Sequence, residues 1–500
     1  MAKIYNERWV LMKKISKKNL SIQLLTILIS IIAYVIFISA IGYLEIGYNY
    51  NYEPLVFILS WVGVIILVYC IYSWYVITKT LFCPYIIFLS FFVFFNFGQC
   101  LMWSIGIHSS NEIGKIAMYE ALPPPIMIEI AKTQLYICLC ILFFHLGALF
   151  CYKPQRNVIK NNNKEIYYEA IYKISILIGA IAIPITLYRG INLLKHALQY
   201  GYASLYYSDT INTSGISMII EIFFFPALVG ILIGSKYKKR VVTKVYIIFA
   251  IYLILNLLQG DRGSWIYKII TLIWLSHCFY KRINFKKAIK LLSISIIGLY
   301  CVYALMSLRG VGLSNVSFED IKNAFDFKNS PIIAALFEMG NSMTIMIILL
   351  SVGSGIWTYS NSYLVSILGL ITTRTLEPLG LDLILIDNWF SQDYLGIKWG
   401  AGFSMIGEAF LNYGFYLAPL ILIFIGYFIG SVLYIKNNDS AKNHPLKYFF
   451  VATSLAALVG WSRGTSLMFI RNWFRGTVMI VFMVLIIVAY SKKVSNSKRR

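Results

Sequence analysis

Apolar runs that carry no charge alternate with short basic segments along this sequence. Five of the runs are 20–44, 54–78, 245–260, 291–308 and 409–435. An α-helix rises 1.5 Å per residue, so about 20 residues cross the roughly 30 Å hydrocarbon core of a bilayer. Hydrophobic residues make up 59% of the chain and charged residues 13%, which excludes a soluble globular domain and a disordered chain. The sequence therefore predicts an all-α, polytopic integral membrane protein.

The basic segments predict how the chain crosses the membrane. They lie at 13–18, 236–240, 281–290 and 492–500, between the apolar runs. Because Lys and Arg are enriched in cytoplasmic loops, counting them loop by loop predicts about twelve transmembrane helices with both termini in the cytoplasm. The formal charge of +23 thus indicates topology and contact with membrane lipids, and no nucleic acid partner is predicted.

A long stretch between clear spans, 307–403, is predicted to begin and end outside the cytoplasm. Within it, 339–373 is free of charge and rich in Gly, Ser and Thr. This part is either a re-entrant segment or two further short spans, which would raise the count to fourteen. Irregular backbone at membrane depth must be covered by protein or line a water-filled cavity. We therefore treat 1–500 as a single membrane domain with 307–403 as a large extracytoplasmic loop region.

Arginines on the predicted outer side are candidates for binding an anion. The planar guanidinium pairs with two phosphate oxygens and stays charged at any working pH. A lipid-linked diphosphate has its head group at this depth. These arginines are Arg189, Arg262, Arg309, Arg374, Arg463, Arg471 and Arg475, of which the last two are equally well explained as interfacial anchors.

Three further ionisable residues, Glu221, Lys268 and Glu408, lie inside predicted spans near the same side. Such groups pair across neighbouring helices or line a cavity, and for a set concentrated on one side of the membrane we expect an outward-facing polar cavity. The eight cysteines show no ligand spacing with histidine, so neither a metal site nor a cofactor is predicted.

Two local sequences resemble a known family. The turn QGDRGS at 259–264 resembles the Gly-x-Arg-Gly turn of bacterial O-antigen and oligosaccharide repeat-unit polymerases. The segment SMIGEAFLNYG at 404–414 resembles their Ser-x-x-x-Glu-Ala-x-x-Asn-aromatic-Gly segment, and it also precedes a long apolar run. Together with the predicted architecture over nearly the whole chain, these segments indicate similarity to the O-antigen polymerase family known as Wzy.

The resemblance implies a membrane glycosyltransferase of lipopolysaccharide biosynthesis. Such enzymes join oligosaccharide repeat units carried on undecaprenyl diphosphate, at the periplasmic face of the cell inner membrane. No metal or cofactor is implied, and a chain-length regulator is a further partner to consider.

The implied reaction assigns roles to particular residues. A sugar hydroxyl attacks an anomeric carbon and a diphosphate departs, so the site must neutralise the diphosphate and accept a proton. Glu408 is the predicted base and Asp261 the second candidate, although Asp261 is equally suited to fixing its own turn through backbone hydrogen bonds. His108 is a more distant candidate. The predicted diphosphate-binding residues are Arg262, Arg309, Arg374 and Arg463.

Two other functions share much of this layout. A flippase for lipid-linked oligosaccharides would bind the same diphosphate, but it would need charge along a central path and usually two related halves. The sequence has neither feature. An O-antigen ligase shares both the chemistry and the layout, and the sequence separates it poorly from a polymerase.

Overall fold

Helices form all the regular structure in the part of the chain that this computed structural model describes. Isolated residues between 286 and 322 are described as well. The continuous described ranges are 2–46, 51–107, 113–114, 125–152, 164–200, 215–259, 264–284, 331–397, 400–435 and 438–497.

The helices are numbered in chain order. The first nine precede the predicted loop region, three lie within it, and four follow it. They are α1 (Ala2–Ile46), α2 (Glu53–Thr78), α3 (Pro84–Ser104), α4 (Met127–Phe150), α5 (Lys164–Tyr200), α6 (Gly215–Glu221), α7 (Phe224–Gly234), α8 (Lys239–Gln259), α9 (Ser264–Phe279), α10 (Pro331–Met339), α11 (Ser342–Val352), α12 (Ser362–Leu368), α13 (Met405–Leu433), α14 (Pro445–Leu458), α15 (Ser466–Trp473) and α16 (Met479–Ser497).

Nine helical segments of the described residues are long and apolar enough to cross a membrane. They include α6 with α7 as one segment, and α15 with α16 as another. This confirms the all-α, multi-pass fold. Helix α9 is a shorter apolar helix of 16 residues, and most of the predicted span 291–308 lies outside the described residues. The count of twelve therefore stays a prediction.

Close backbone contact joins α4 to α13 at the centre of the bundle. A Cβ atom on Gly426 would lie 1.9 Å from the carbonyl oxygen of Phe144, and one on Gly147 would lie 1.9 Å from that of Ile423. Small residues let helices approach closely where the surrounding lipid provides no hydrophobic driving force. This pair of helices fixes the position at which α13 begins.

Contacts between helix ends define one end of the bundle as basic. Lys236 forms an ion pair with Glu165, and the Tyr168 hydroxyl donates to the carbonyl oxygen of Lys442 at 3.2 Å. Glu165 and Tyr168 belong to α5, and the Lys492 ammonium lies over another aromatic ring of that helix. The charge count assigns all these segments to the cytoplasmic side, so the structure brings together residues that were predicted to lie together.

The opposite end of the bundle, called the site end below, contains Arg189, the end of α6 and the residues just before α16. Arg189 of α5 forms an ion pair with Glu221 of α6. Gly476, which precedes α16, packs so closely on Ile222 that an added Cβ would lie 2.7 Å from its Cγ2. Residues near the beginning of α16 therefore lie at the same end as Arg189 of α5.

The described part of the loop region is short helices and turns packed on the bundle. Helix α11 has 11 residues, or about 16 Å, which is too short to cross a bilayer alone. It contacts α3, α4 and α13, and the Ser342 hydroxyl donates to the carbonyl oxygen of Phe403 at 2.8 Å. Protein thus covers this segment, while its re-entrant character stays a prediction.

Candidate functional site

The motif at 404–414 forms the beginning of α13. The Ser404 hydroxyl accepts hydrogen bonds from the backbone N–H groups of Ile406 and Gly407 at 3.1 and 3.2 Å, as an N-cap does. The same hydroxyl donates to Oδ1 of Asn96 in α3 at 2.6 Å. At the other end of the motif, Gly414 has a φ of +71°, a conformation that glycine adopts without strain. The motif therefore spans one capped, kinked segment of helix.

Glu408 is fully buried inside this segment, and both of its carboxylate oxygens are saturated with donors. Oε1 accepts from the hydroxyls of Ser362 at 2.7 Å and Ser466 at 2.6 Å. Oε2 accepts from the backbone N–H of Ser466 at 2.7 Å and from the indole N–H of Trp461 at 3.2 Å. A carboxylate offers about four lone-pair positions, and these four donors occupy them. The carboxylate thereby joins α12, α13 and α15.

Asn412, one turn after Glu408, completes the connection to α12. Its side-chain N–H₂ donates to the carbonyl oxygen of Glu408 at 2.7 Å and to the Ser362 hydroxyl at 2.9 Å. Its Oδ1 accepts from the backbone N–H of Ser362 at 2.8 Å. The spacing of Ser404, Glu408 and Asn412, four residues apart, thus corresponds to three side chains that hold neighbouring segments.

Arg463 lies at the end of a tight turn, 459–463, that these contacts hold in place. The amide of Asn96 donates to the carbonyl oxygen of Ser462 at 3.0 Å, on one side of Arg463. The guanidinium carbon lies 5.9 Å from the centre of the Phe95 ring. A Cβ on Gly402, whose φ is +74°, would lie 3.9 Å from Nε of Arg463. The arginine is half-buried, and no described carboxylate lies within 4.0 Å of it.

Arg471 and Arg475 are one helical turn apart at the end of α15 and close enough to repel each other electrostatically. Nε of Arg471 is buried and has no hydrogen-bond partner among the described residues. Arg475 donates through Nη2 to the carbonyl oxygen of Ile371 at 2.7 Å. Neither forms an ion pair within the described ranges. An anion would relieve the repulsion between them.

Arg374 is exposed and lines an open cavity of about 590 Å³, called the 373–383 cavity below. Two carboxylates, Glu377 and Asp382, line the same cavity. The surroundings of Arg374 therefore differ from those of Arg463, Arg471 and Arg475, because acidic side chains share its space.

Asp387, on the short helical segment 386–394, is a carboxylate that the sequence did not single out. Burial raises its pKa, and hydrogen bonds from the backbone N–H groups of Asp387 and Asn388 oppose this effect. Its Oδ1 is buried without a hydrogen-bond partner in the described part of the chain. The segment is joined to the site because the Ser391 hydroxyl donates to the carbonyl oxygen of Asp387 and accepts from the N–H of Ala401 at 2.9 Å.

The other predicted residues have different outcomes. Glu221 pairs with Arg189 across neighbouring helices, and Lys268 donates to the Tyr252 hydroxyl. These contacts correspond to the structural alternative considered for Glu221 and Lys268. Four candidates lie outside the described residues, and their roles stay predictions: His108, Asp261, Arg262 and Arg309.

The residues that hold Glu408 were not found from the sequence. Ser362 and Ser466 lie 46 and 58 residues from it along the chain, and serine at such a distance carries no recognisable signal. Asn96 is likewise one polar residue in an apolar run. Among the described residues there is no group of three or more His, Cys, Asp or Glu side chains that could hold a metal ion.

Comparison with known proteins identifies the family. No curated protein and no solved structure matches the chain. A family model described as O-antigen polysaccharide polymerase Wzy matches residues 24–496, which is nearly the whole chain. This match includes both sequence segments that resembled the family and every described residue of the site. The chain belongs to the O-antigen polysaccharide polymerase Wzy family.

Proposed function

We propose that this O-antigen polymerase transfers a growing glycan from undecaprenyl diphosphate to a sugar hydroxyl of an incoming lipid-linked repeat unit. Family membership makes the chain a membrane glycosyltransferase of lipopolysaccharide biosynthesis that acts on lipid-linked oligosaccharide repeat units, and it favours this function over a flippase or a ligase. The observation that carries the finer proposal is the set of arginines at the site end that have no acidic partner among the described residues.

The reaction requires positive charge and a proton acceptor. The oxygen of the acceptor hydroxyl forms a bond to the anomeric carbon of the donor sugar. The bond from that carbon to the diphosphate oxygen breaks, and its electron pair leaves with the diphosphate. The hydroxyl proton passes to a base. Fixed guanidinium groups near the departing oxygen stabilise the charge that develops there without further reorganisation.

Arg463, Arg471 and Arg475 are the described residues best suited to hold diphosphate. Arg463 is held by the turn 459–463 and by the ring of Phe95, so its guanidinium is in place before substrate binds. Arg262 and Arg309 remain candidates from the sequence. This supports chemistry in which arginines take the place of a metal ion, and metal independence is part of the proposal.

We assign Glu408 a positioning role in place of the role of general base. Its four lone-pair positions are occupied, so a sugar hydroxyl would have to displace a bound donor to reach it. By holding the N–H of Ser466 and the indole of Trp461, Glu408 fixes the turn that carries Arg463. Its effect on catalysis is therefore indirect.

Asp387 is the described carboxylate best suited to accept the proton, with Asp261 as the candidate from the sequence. One of its oxygens is free within the described structure, and a pKa raised by burial makes a carboxylate a stronger base. Its segment is hydrogen-bonded to Ala401, next to the glycine that faces Arg463. The segment of Asp387 thus contacts the stretch of backbone that packs against Arg463, which supports a base near this arginine.

The pH dependence of polymerisation should report the ionisation of Asp387. The base must be deprotonated, so activity should fall as the pH drops through its pKa, which burial places above the ordinary value of about 3.9 for Asp. Asp387→Asn should lower the rate and remove this acidic limb from the profile of kcat. If the variant keeps both the rate and the limb of the wild type, Asp387 is not the base. The matched control is Asp393→Asn, the same substitution at an exposed position of the same segment.

The difference in charge between the two ends of the bundle supports an orientation in the membrane. The basic end suits the cytoplasmic side, where positive loops are retained, so both termini face the cytoplasm and the site end faces the periplasm of the inner membrane. A chain-length regulator would then meet the polymerase from the periplasmic side.

Sealed membrane vesicles test donor, orientation and metal independence together. Right-side-out vesicles that contain the protein receive repeat units linked to a short polyprenyl diphosphate, in the presence of EDTA. We expect polymer from this substrate, little from the monophosphate-linked unit, and none from inverted vesicles until they are permeabilised. Polymer from inverted vesicles alone would reverse the orientation. A loss of activity that EDTA causes and Mg²⁺ restores would refute metal independence.

A further inference from the structure

We propose that the 373–383 cavity is a sugar-binding subsite that receives the sugar next to the lipid diphosphate. This inference rests on the proposed function, because it adds a sugar subsite beside the arginines that hold the diphosphate. Its volume of about 590 Å³ lies within the usual range of roughly 300–1,000 Å³ for small-ligand sites.

The walls of the cavity are fixed before a ligand binds. Two consecutive tight turns, 373–375 and 377–379, form one side, and Leu376 between them is buried against Val365 and Leu467. Gly380 ends the second turn with a φ of +66°, a conformation that favours glycine. The buried contacts of Leu376 hold the two turns in place, which reduces the entropy lost on binding.

The charges of the cavity suit a sugar better than a phosphate. One arginine, Arg374, shares the space with the carboxylates of Glu377 and Asp382, so the net charge is negative. A polyanion would be repelled by the two carboxylates, whereas hydroxyl and amino groups of a sugar can donate to them. The guanidinium of Arg374 can donate to hydroxyl or ring oxygens. We therefore assign Arg374 to sugar recognition in place of diphosphate binding.

Asp382 is held with its carboxylate partly free for a ligand. The Ser360 hydroxyl donates to its Oδ2 at 3.2 Å and accepts from its backbone N–H at 3.1 Å. Next to Ser360, the ring of Tyr359 is 39% exposed and rests edge-on against Trp357 at a centroid distance of 5.0 Å. Tyr359 does not line the cavity itself, but its partly exposed ring would offer an apolar face to a sugar that extends past Asp382.

The arginine pair lies close to this cavity in space, because Arg475 contacts the backbone just before it. Arg475 donates to the carbonyl oxygen of Ile371, three residues before Arg374, and three residues span at most about 11 Å. A sugar and its diphosphate are joined through a single oxygen. A ligand with its diphosphate at Arg471 and Arg475 can therefore place its first sugar in the cavity.

Binding of the two halves of the substrate to the purified full-length protein tests the subsite. One probe is the free repeat-unit oligosaccharide, released from the lipid by mild acid, and the other is polyprenyl diphosphate without sugar. The double variant Glu377→Gln with Asp382→Asn should weaken oligosaccharide binding at least tenfold and leave diphosphate binding unchanged. Arg471→Ala should weaken diphosphate binding and leave oligosaccharide binding unchanged. Asp393→Asn, which lies outside the cavity, should bind both probes like the wild type.

The outcomes separate the subsite from the proposed function. Oligosaccharide binding that is unchanged in the double variant, or absent from the wild type, would overturn the sugar subsite even if Arg471→Ala loses diphosphate. If the double variant loses oligosaccharide while Arg471→Ala keeps full diphosphate binding, the subsite stands and the assignment of the arginine pair fails.

Discussion

Replacing Glu408 by alanine is expected to leave little folded protein in the membrane, whereas replacing it by glutamine is expected to leave a folded and active polymerase. The two fixed donors, the backbone N–H of Ser466 and the indole N–H of Trp461, both bind Oε2. Alanine leaves them unpaired in a buried site and removes packing as well. At about 1–3 kcal/mol for each unpaired donor, and more for the cavity, the loss is on the order of 5 kcal/mol.

Glutamine can replace the glutamate because both fixed donors bind the same carboxylate oxygen. Its carbonyl oxygen can take the position of Oε2 and accept from both fixed donors. Its N–H₂ group would then face the hydroxyls of Ser362 and Ser466, which can rotate to accept. The loss is limited to the charge-assisted part of these bonds, about 1–2 kcal/mol. We expect polymer within about tenfold of the wild-type amount.

Protein level, melting temperature and the polysaccharide profile on a gel distinguish the positioning role from a catalytic one. The positioning role predicts that stability and polymer length fall together, slightly for glutamine and severely for alanine. A glutamine variant with the melting temperature of the wild type but only single repeat units would make Glu408 the base after all. Asp393→Ala, which removes an exposed carboxylate, should leave all three measurements unchanged.

The fold could be predicted from the sequence because membrane insertion depends on composition over whole segments. The runs 20–44 and 409–435 are each longer than 20 residues and carry no charge, and the structure has α1 and α13 there. That the segments around Lys236, Lys442 and Lys492 lie at one end could be predicted from where Lys and Arg occur, and the side of the membrane that this end faces stays a prediction. Short helices such as α11 are less predictable, because their burial by α3, α4 and α13 is a tertiary property.

The site could be predicted only in part. The motif at 404–414 identified Glu408 and Asn412, but the partners that saturate Glu408 come from α12, α15 and the turn before it. Sequence spacing reports neighbours on one helix and cannot report which distant serine approaches a carboxylate. Whether Glu408 is exposed enough to act as a base therefore could not be predicted from the sequence.

The arginines illustrate the same limit. Loop position alone placed Arg189, Arg374 and Arg463 on one side of the membrane and could not distinguish them. In the structure Arg189 pairs with Glu221, Arg374 shares a cavity with two carboxylates, and Arg463 has no acidic partner among the described residues. What distinguishes them is the neighbouring charge, which depends on the tertiary fold.

Removing Arg463 is expected to reduce polymerisation by about 10²–10³, the usual effect of losing one preorganised donor to a developing negative charge. Arg463→Ala should leave single repeat units on the gel of a strain that lacks its own polymerase. Arg463→Lys keeps the charge but loses the planar fork and the Nε group that faces Gly402, so it should restore only a small part of the activity. Arg240→Ala, an exposed arginine at the basic end, should support full-length polymer.

Arg463→Met separates the charge of this residue from its packing. The guanidinium lies over the Phe95 ring, so alanine removes this packing contact together with the positive charge. Methionine restores much of the packing contact without the charge. If Arg463 binds diphosphate, the methionine variant should have the melting temperature of the wild type and the inactivity of the alanine variant. If methionine instead restores polymer, Arg463 acts by packing the turn 459–463 against α3, and the diphosphate must be bound by other arginines.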